Sequence, residues 1–160
     1  MNGPRHPPLG VWHFSFTVAD LDRSIVFYRD LLWLDLVHVQ EQDNAYTRRL
    51  VGYPDASLRV AQFAVPGAPS GLSTHSLELV EYRSPRLAPR DQQIARPGAA
   101  HLAFAVDDIA VWHRRLDAAG VEFFSTPNRI AAGINAGGWA VYLRDPDRNV
   151  LELLQPRRVT

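Results

Sequence analysis

Two stretches of the chain are copies of one another, and this duplication constrains the fold more than any other feature. His13-Phe-Ser-Phe-Thr-Val-Ala-Asp-Leu21 aligns with His101-Leu-Ala-Phe-Ala-Val-Asp-Asp-Ile109 at an offset of 88. Histidine falls on histidine, Phe16 on Phe104, Val18 on Val106 and Asp20 on Asp108. A second match sets Leu77-Glu78-Leu79 against Leu151-Glu152-Leu153, at an offset of 74. Each copy therefore opens on a run that carries a histidine and closes on a run that carries a glutamate. Internal repetition of this kind marks a supersecondary unit used twice. The offsets differ by 14, so the first copy holds about that many extra residues between its ends.

Within each copy the periodicities alternate. Val11 to Val18 reads as a strand. Asp20 is placed to cap a helix on which Leu21, Ile25, Tyr28 and Leu32 recur at helical spacing. Leu34 to Val39, Leu58 to Val65 and His75 to Tyr82 read as strands, with a turn at Pro66 to Gly71. The polar segment Asp43 to Ala56 is the expected home of the extra residues. The second copy runs from a strand at Ala100 to Val106 into a helix capped by Asp108. That helix has Ile109, Trp112, Leu116 and Ala119 on one face, and Gly120 ends it. A short strand at Val121 to Phe124 and a loop at Ser125 to Gly137 follow. The closing hairpin, Trp139 to Leu143 and Val150 to Leu154, turns at Asp145-Pro-Asp-Arg-Asn149. The expectation is an α+β fold of two tandem βαβββ modules forming a curved mixed sheet around a cleft. Residues 1–9 are read as an N-terminal arm, 10–82 as the first module, 83–97 as a linker and 98–156 as the second module.

Composition narrows the chemistry. The chain has 160 residues and 18.0 kDa, enough for a sizeable core, with formal net charge +0. That balance argues against a nucleic-acid or membrane partner, and no stretch approaches the length of a membrane span. The start is polar and proline-rich rather than a signal peptide, so a cytoplasmic protein is expected. There is no cysteine, which excludes thiol catalysis and leaves a metal site only histidine and carboxylate. All 17 basic residues are arginine, which excludes Schiff-base chemistry by lysine.

Glu152 is an acid between Leu151 and Leu153, and a carboxylate in so apolar a strand needs solvent, a base or a metal. One histidine at the start of a strand is ordinarily a polar residue like any other, and one Leu-Glu-Leu is ordinarily a strand with its acid in water. Both types at matching positions of both copies change the reading. Pseudo-twofold symmetry would place His13, His101, Glu78 and Glu152 around one point. Two imidazoles and two carboxylates suit Zn, Ni, Co, Mn or Fe with positions left open. The metal would act as a Lewis acid on a carbonyl or enediolate oxygen, and Glu152 or Glu78 would serve as the base. Tyr142, ten residues before Glu152, is a candidate for a substrate hydrogen bond and equally for packing. His6, His38, His75 and His113 lack such partners in sequence. His75 and Glu78, three apart, are expected on opposite faces of one strand.

The patterns His13-x4-Val18-x-Asp20-Leu21-x2-Ser24-x2-Phe27-Tyr28, His101-x4-Val106-Asp-Asp-Ile109 and Tyr142-x2-Asp145-Pro-Asp-x-Asn149-x-Leu-Glu152-Leu resemble the vicinal oxygen chelate superfamily. That superfamily includes glyoxalase I, methylmalonyl-CoA epimerase, extradiol dioxygenases, fosfomycin-resistance enzymes and bleomycin-binding proteins. The first two are the most similar. The resemblance spans roughly residues 10 to 156 and implies a divalent-metal site on His13, Glu78, His101 and Glu152. It also implies a lyase, isomerase or epimerase acting on a small carbonyl compound, and a homodimer. An Fe(II) ring-cleaving dioxygenase and a non-catalytic binding or resistance protein are the alternatives. Thr17 stands where glyoxalase I has an arginine used for glutathione, which argues against that co-substrate. No histidine lies between Ser125 and Gly137, where ring-cleaving members keep a base. Arg148 stands at the glycine of the usual Asp-Pro-Asp-Gly-Asn turn.

Overall fold

The computed structural model describes residues 6–69, 71–89 and 93–157. Residues 1–5 of the expected arm, Ser70 of the expected turn and residues 90–92 of the expected linker lie outside these. The chain folds as two compact units, Met1–Leu87 and Ala88–Thr160. Each contains a four-stranded mixed sheet, and with three α-helices among the described residues the class is α+β.

In the first unit β1 (Phe14–Val18) leads into α1 (Leu21–Val26). The Asp20 carboxylate accepts the Arg23 N–H at 3.0 Å and starts the helix as expected. Leu21, Ile25, Tyr28 and Leu32 are all buried, which is what their spacing predicts. The last turn, Phe27–Leu31, widens to a π-helix, and the Leu32 N–H reaches back to the Phe27 carbonyl at 3.1 Å. Strands β2 (Asp35–Gln42), β3 (Ser57–Ala64) and β4 (Leu77–Ser84) complete the sheet in the order β1-β4-β3-β2. The β1–β4 pair is parallel and the other two are antiparallel. Between β2 and β3 the polar segment holds a second helix, α2 (Ala45–Val51), where no element was expected. The Asn44 side chain accepts the Thr47 N–H at 3.0 Å, and Gly52 closes the helix at φ 77°.

The second unit repeats the plan with β5 (His101–Ala105), α3 (Ile109–Ala118), β6 (Asn128–Arg129), β7 (Trp139–Arg144) and β8 (Val150–Gln155). Its order is β5-β8-β7-β6, with β5 parallel to β8. The strand expected at Val121 to Phe124 is reduced to one bridge, Phe123 to Leu143. Pairing to β7 resumes only at Asn128, opposite Ala140. Pro127 has no N–H to donate to the ladder, so this edge is split in two.

Alternation decides which face each strand buries. Phe16, Val18, Ala61, Phe63, Leu77 and Leu79 are buried in the first unit, along with Leu21 and Tyr28 from the helical segment. Leu116 of α3 and Val141, Leu143, Leu151 and Leu153 play the same part in the second. The residues between them, Glu78 and Glu152 included, point the other way.

Candidate metal centre

The histidine and glutamate of each unit are set together by the parallel strand pair. Ser15 is registered opposite Glu78, and His13 lies two residues before Ser15. Ala103 is registered opposite Glu152, and His101 lies two residues before Ala103. His101 and Ala103, two apart on β5, share a face. His13 lies one residue before β1, where the Phe14 N–H bonds the Ser76 carbonyl at 3.0 Å and continues the ladder. Each imidazole sits beside its carboxylate near a small side chain. The distances follow: His13 Nε2 lies 3.8 Å from Glu78 Oε1, and His101 Nε2 lies 3.3 Å from Glu152 Oε2. Both carboxylates are half-buried, and both pairs keep some contact with solvent, as a site open to a small molecule requires.

The central strands give the two pairs different neighbours at equivalent positions. Opposite Glu78 stands Gln62, whose Nε2 donates to Glu78 Oε2 at 3.3 Å. Opposite Glu152 stands Tyr142, whose ring meets the His101 ring edge-on at 5.3 Å. Burial, and then the Glu152 charge beside it, push the Tyr142 phenol up from its ordinary value. It therefore stays protonated near neutral pH and can donate a hydrogen bond.

The first unit also holds a third donor that the sequence reading set aside. His75 stacks on His13 with ring centroids 5.1 Å apart. Ligand atoms of His13, His75 and Glu78 lie within 4.8 Å of one another, close enough to share an ion. The expectation that His75 and Glu78 face apart fails because β4 begins at Leu77. His75 is in the bend before the strand, where alternation does not apply. Ser73 holds it there: its Oγ lies 3.0 Å from His75 Nδ1 and accepts the His75 N–H at 3.2 Å. Desolvation, and then the neighbouring His13, lower the His75 pKa, with Glu78 opposing. The neutral, ligating form is thus favoured.

These donors suit a divalent cation. Imidazole nitrogen and carboxylate oxygen match first-row metals. Buried His75 Nε2 and His13 Nδ1 have no hydrogen-bond partner among the described residues, and orphaned buried nitrogens are costly. Ser73 against His75 Nδ1 is the kind of outer support that leaves the opposite ring nitrogen free to ligate. Gln62 was missed because its spacing does not repeat, and His75 because it precedes the strand it was assigned to. Gln62 is 16 residues from Glu78 across a long turn, whereas Tyr142 is ten from Glu152 across a short one.

The family model described as Glyoxalase/Bleomycin resistance protein/Dioxygenase superfamily matches residues 10–153. A 2-epi-5-epi-valiolone epimerase from Actinomyces sp is 33% identical over 153 residues, covering 91% of this chain and 79% of that protein. A probable lactoylglutathione lyase from Vibrio parahaemolyticus is 29% identical over 152 residues, covering 94% and 93%. Among solved structures, a glyoxalase family protein from Bacillus cereus superposes with a TM-score of 0.80 at 19% identity, covering 98% of this chain and 100% of that one. At that identity the likeness concerns the fold alone.

Proposed function

The chain belongs to the Glyoxalase/Bleomycin resistance protein/Dioxygenase superfamily, and on that premise we propose that it is a divalent-metal enzyme that moves a proton on the carbon next to a carbonyl group. The observation that carries this reading is the pair of His–Glu contacts, 3.8 Å and 3.3 Å, repeated in the same strand register in both units. His13, Glu78, His101 and Glu152 would hold the metal as one set, within the chain or with a second copy, and His75 would join His13 and Glu78. When bound, the cation supplies Lewis acidity toward a carbonyl oxygen.

The protein's own groups do the rest. One carboxylate, Glu152 or Glu78, takes the proton from the adjacent carbon. For an epimerase the other carboxylate, in its protonated form, delivers a proton to the opposite face of the same carbon, and for a lyase or isomerase the first carboxylate returns the proton to a neighbouring atom. The neutral Tyr142 phenol beside Glu152 donates a hydrogen bond to substrate. Epimerisation is favoured over glutathione-dependent lyase chemistry. The epimerase relative shares more identity than the lyase relative, and Thr17 offers no guanidinium to a thiol tripeptide.

The test is metal content and thermal midpoint together. Purified protein dialysed against Zn, Ni, Co or Mn is expected to retain one ion per chain. An ion present at 100 times its Kd raises stability by about 2.7 kcal/mol. His13→Ala and His101→Ala should each lose both effects. Full occupancy in either variant, or a wild-type chain that takes up no metal, overturns the assignment. Oxygen uptake with catechols would identify the ring-cleaving alternative.

A further inference from the structure

Beside Glu78 the first sheet carries a row of polar side chains that the reaction leaves unused. Gln62 is registered opposite Glu78, and His38 is registered opposite Gln62. Residues directly opposite in an antiparallel pair share a face, so Glu78, Gln62 and His38 form a line across β4, β3 and β2. Gln40 and Gln42 follow His38 at alternate positions, opposite Val60 and Leu58. On the other side, Ser15 lies opposite Glu78 and Thr17 two residues further along β1.

The charge on this face is equally specific. Its acids are Glu78 and, at the start of β2, Asp35, registered opposite Ala64. No arginine of β1–β4 is registered there. Arg59 lies on the side that packs against α1, where it grips Asp22 at 2.8 Å and buried Glu81 at 3.4 Å. Arg86 also binds Glu81, at 3.0 Å, and Arg83 binds Glu41, at 3.0 Å. An anionic ligand is recognised by guanidinium or ammonium, and the strands of this unit turn their guanidinium groups to other partners. Around Glu78 the face offers neutral amide, imidazole and hydroxyl groups, with Val60 and Val80 forming its apolar floor further along. Gln62 commits one N–H to Glu78, so its second N–H and its carbonyl oxygen are available to a ligand.

We propose that the substrate is a neutral, polyhydroxylated carbonyl compound whose hydroxyl groups are read by Gln62 and His38 along this row. The inference rests on the metal-enzyme reading above and names the substrate class for that site. It also separates this chain from enzymes whose substrate carries carboxylates.

Calorimetry on the metal-loaded protein tests it with three probes: 2-keto-myo-inositol, a neutral cyclic polyhydroxy ketone; cyclohexanone, which lacks the hydroxyls; and S-lactoylglutathione, which is anionic. The first should bind at least about tenfold more tightly than the other two, a difference of about 1.4 kcal/mol that one or two hydrogen bonds supply. His38→Leu should weaken it by about tenfold with metal content unchanged, and Gln62→Leu should weaken it by at least as much when metal is held at saturation, because Gln62 also supports Glu78. His38 is exposed and two strands from Glu78, so its variant reports on the ligand rather than on folding. Equal binding of cyclohexanone, tighter binding of S-lactoylglutathione, or unchanged affinity in His38→Leu overturns this inference alone. A wild-type chain that holds no metal overturns the reading beneath it.

Discussion

Arg148 shows how a single residue can be out of place and still tolerated. It sits at φ 67°, a left-handed conformation that costs a residue with a Cβ about 1 kcal/mol. Its guanidinium partly offsets that through two contacts with Glu122, at 2.8 and 3.2 Å, but the pair is exposed and worth about 0.5 kcal/mol. Arg148→Gly is therefore expected to stabilise the protein by roughly 0.5 kcal/mol in chemical denaturation. His75 allows a prediction with pH. Its pKa in the fold lies below the ordinary 6.5, so below that pH the unfolded chain binds more protons than the folded one. The contribution is full above pH 6.5 and is lost as pH falls through the folded value. Metal-free wild type should thus lose stability on acidification more steeply than His75→Gln, as read from urea midpoints across the pH series.

At the scale of elements, the close of the second unit is the most tightly constrained. The carboxylate of buried Asp145 accepts the N–H groups of Asp147 and Asn149 at 2.9 and 2.8 Å and the Asn149 side-chain amide at 2.9 Å, which fixes the turn that aims β8. At the other end of the hairpin, Gly138 leads into β7. A Cβ there would lie 2.6 Å from the Gln155 carbonyl and 3.1 Å from that of Asn135, both backbone atoms that cannot swing aside. Gly138→Ala should cost about 1–3 kcal/mol through strand displacement. Because Glu152 is on the same strand as Gln155, a weakened metal affinity should accompany the loss, measured by competition with a chelator.

For the whole molecule, what was legible in the sequence was whatever repeats with a fixed period. The α+β class, the buried stripe of α1 and the strands that bring each histidine beside its glutamate all follow from alternation and duplication. What was hidden depends on register, which the sequence does not encode locally. Gln62 meets Glu78 through the register of β3 on β4, and His38 meets Gln62 because β2 aligns on β3 with a bulge at Leu36 to His38. His75 was misread by assigning it to a strand that begins two residues later. The helix α2 was marked only by its ends, Asn44 and Gly52, within a segment too short and polar to show a periodic face. The split edge at Phe123 and Asn128 followed from Pro127, a residue visible from the start.

In both units the first strand to leave the ribosome pairs with the last, β1 with β4 and β5 with β8. A histidine made early therefore waits for its glutamate until the sheet closes. The meeting of imidazole and carboxylate is thus the last step in completing each module rather than the first.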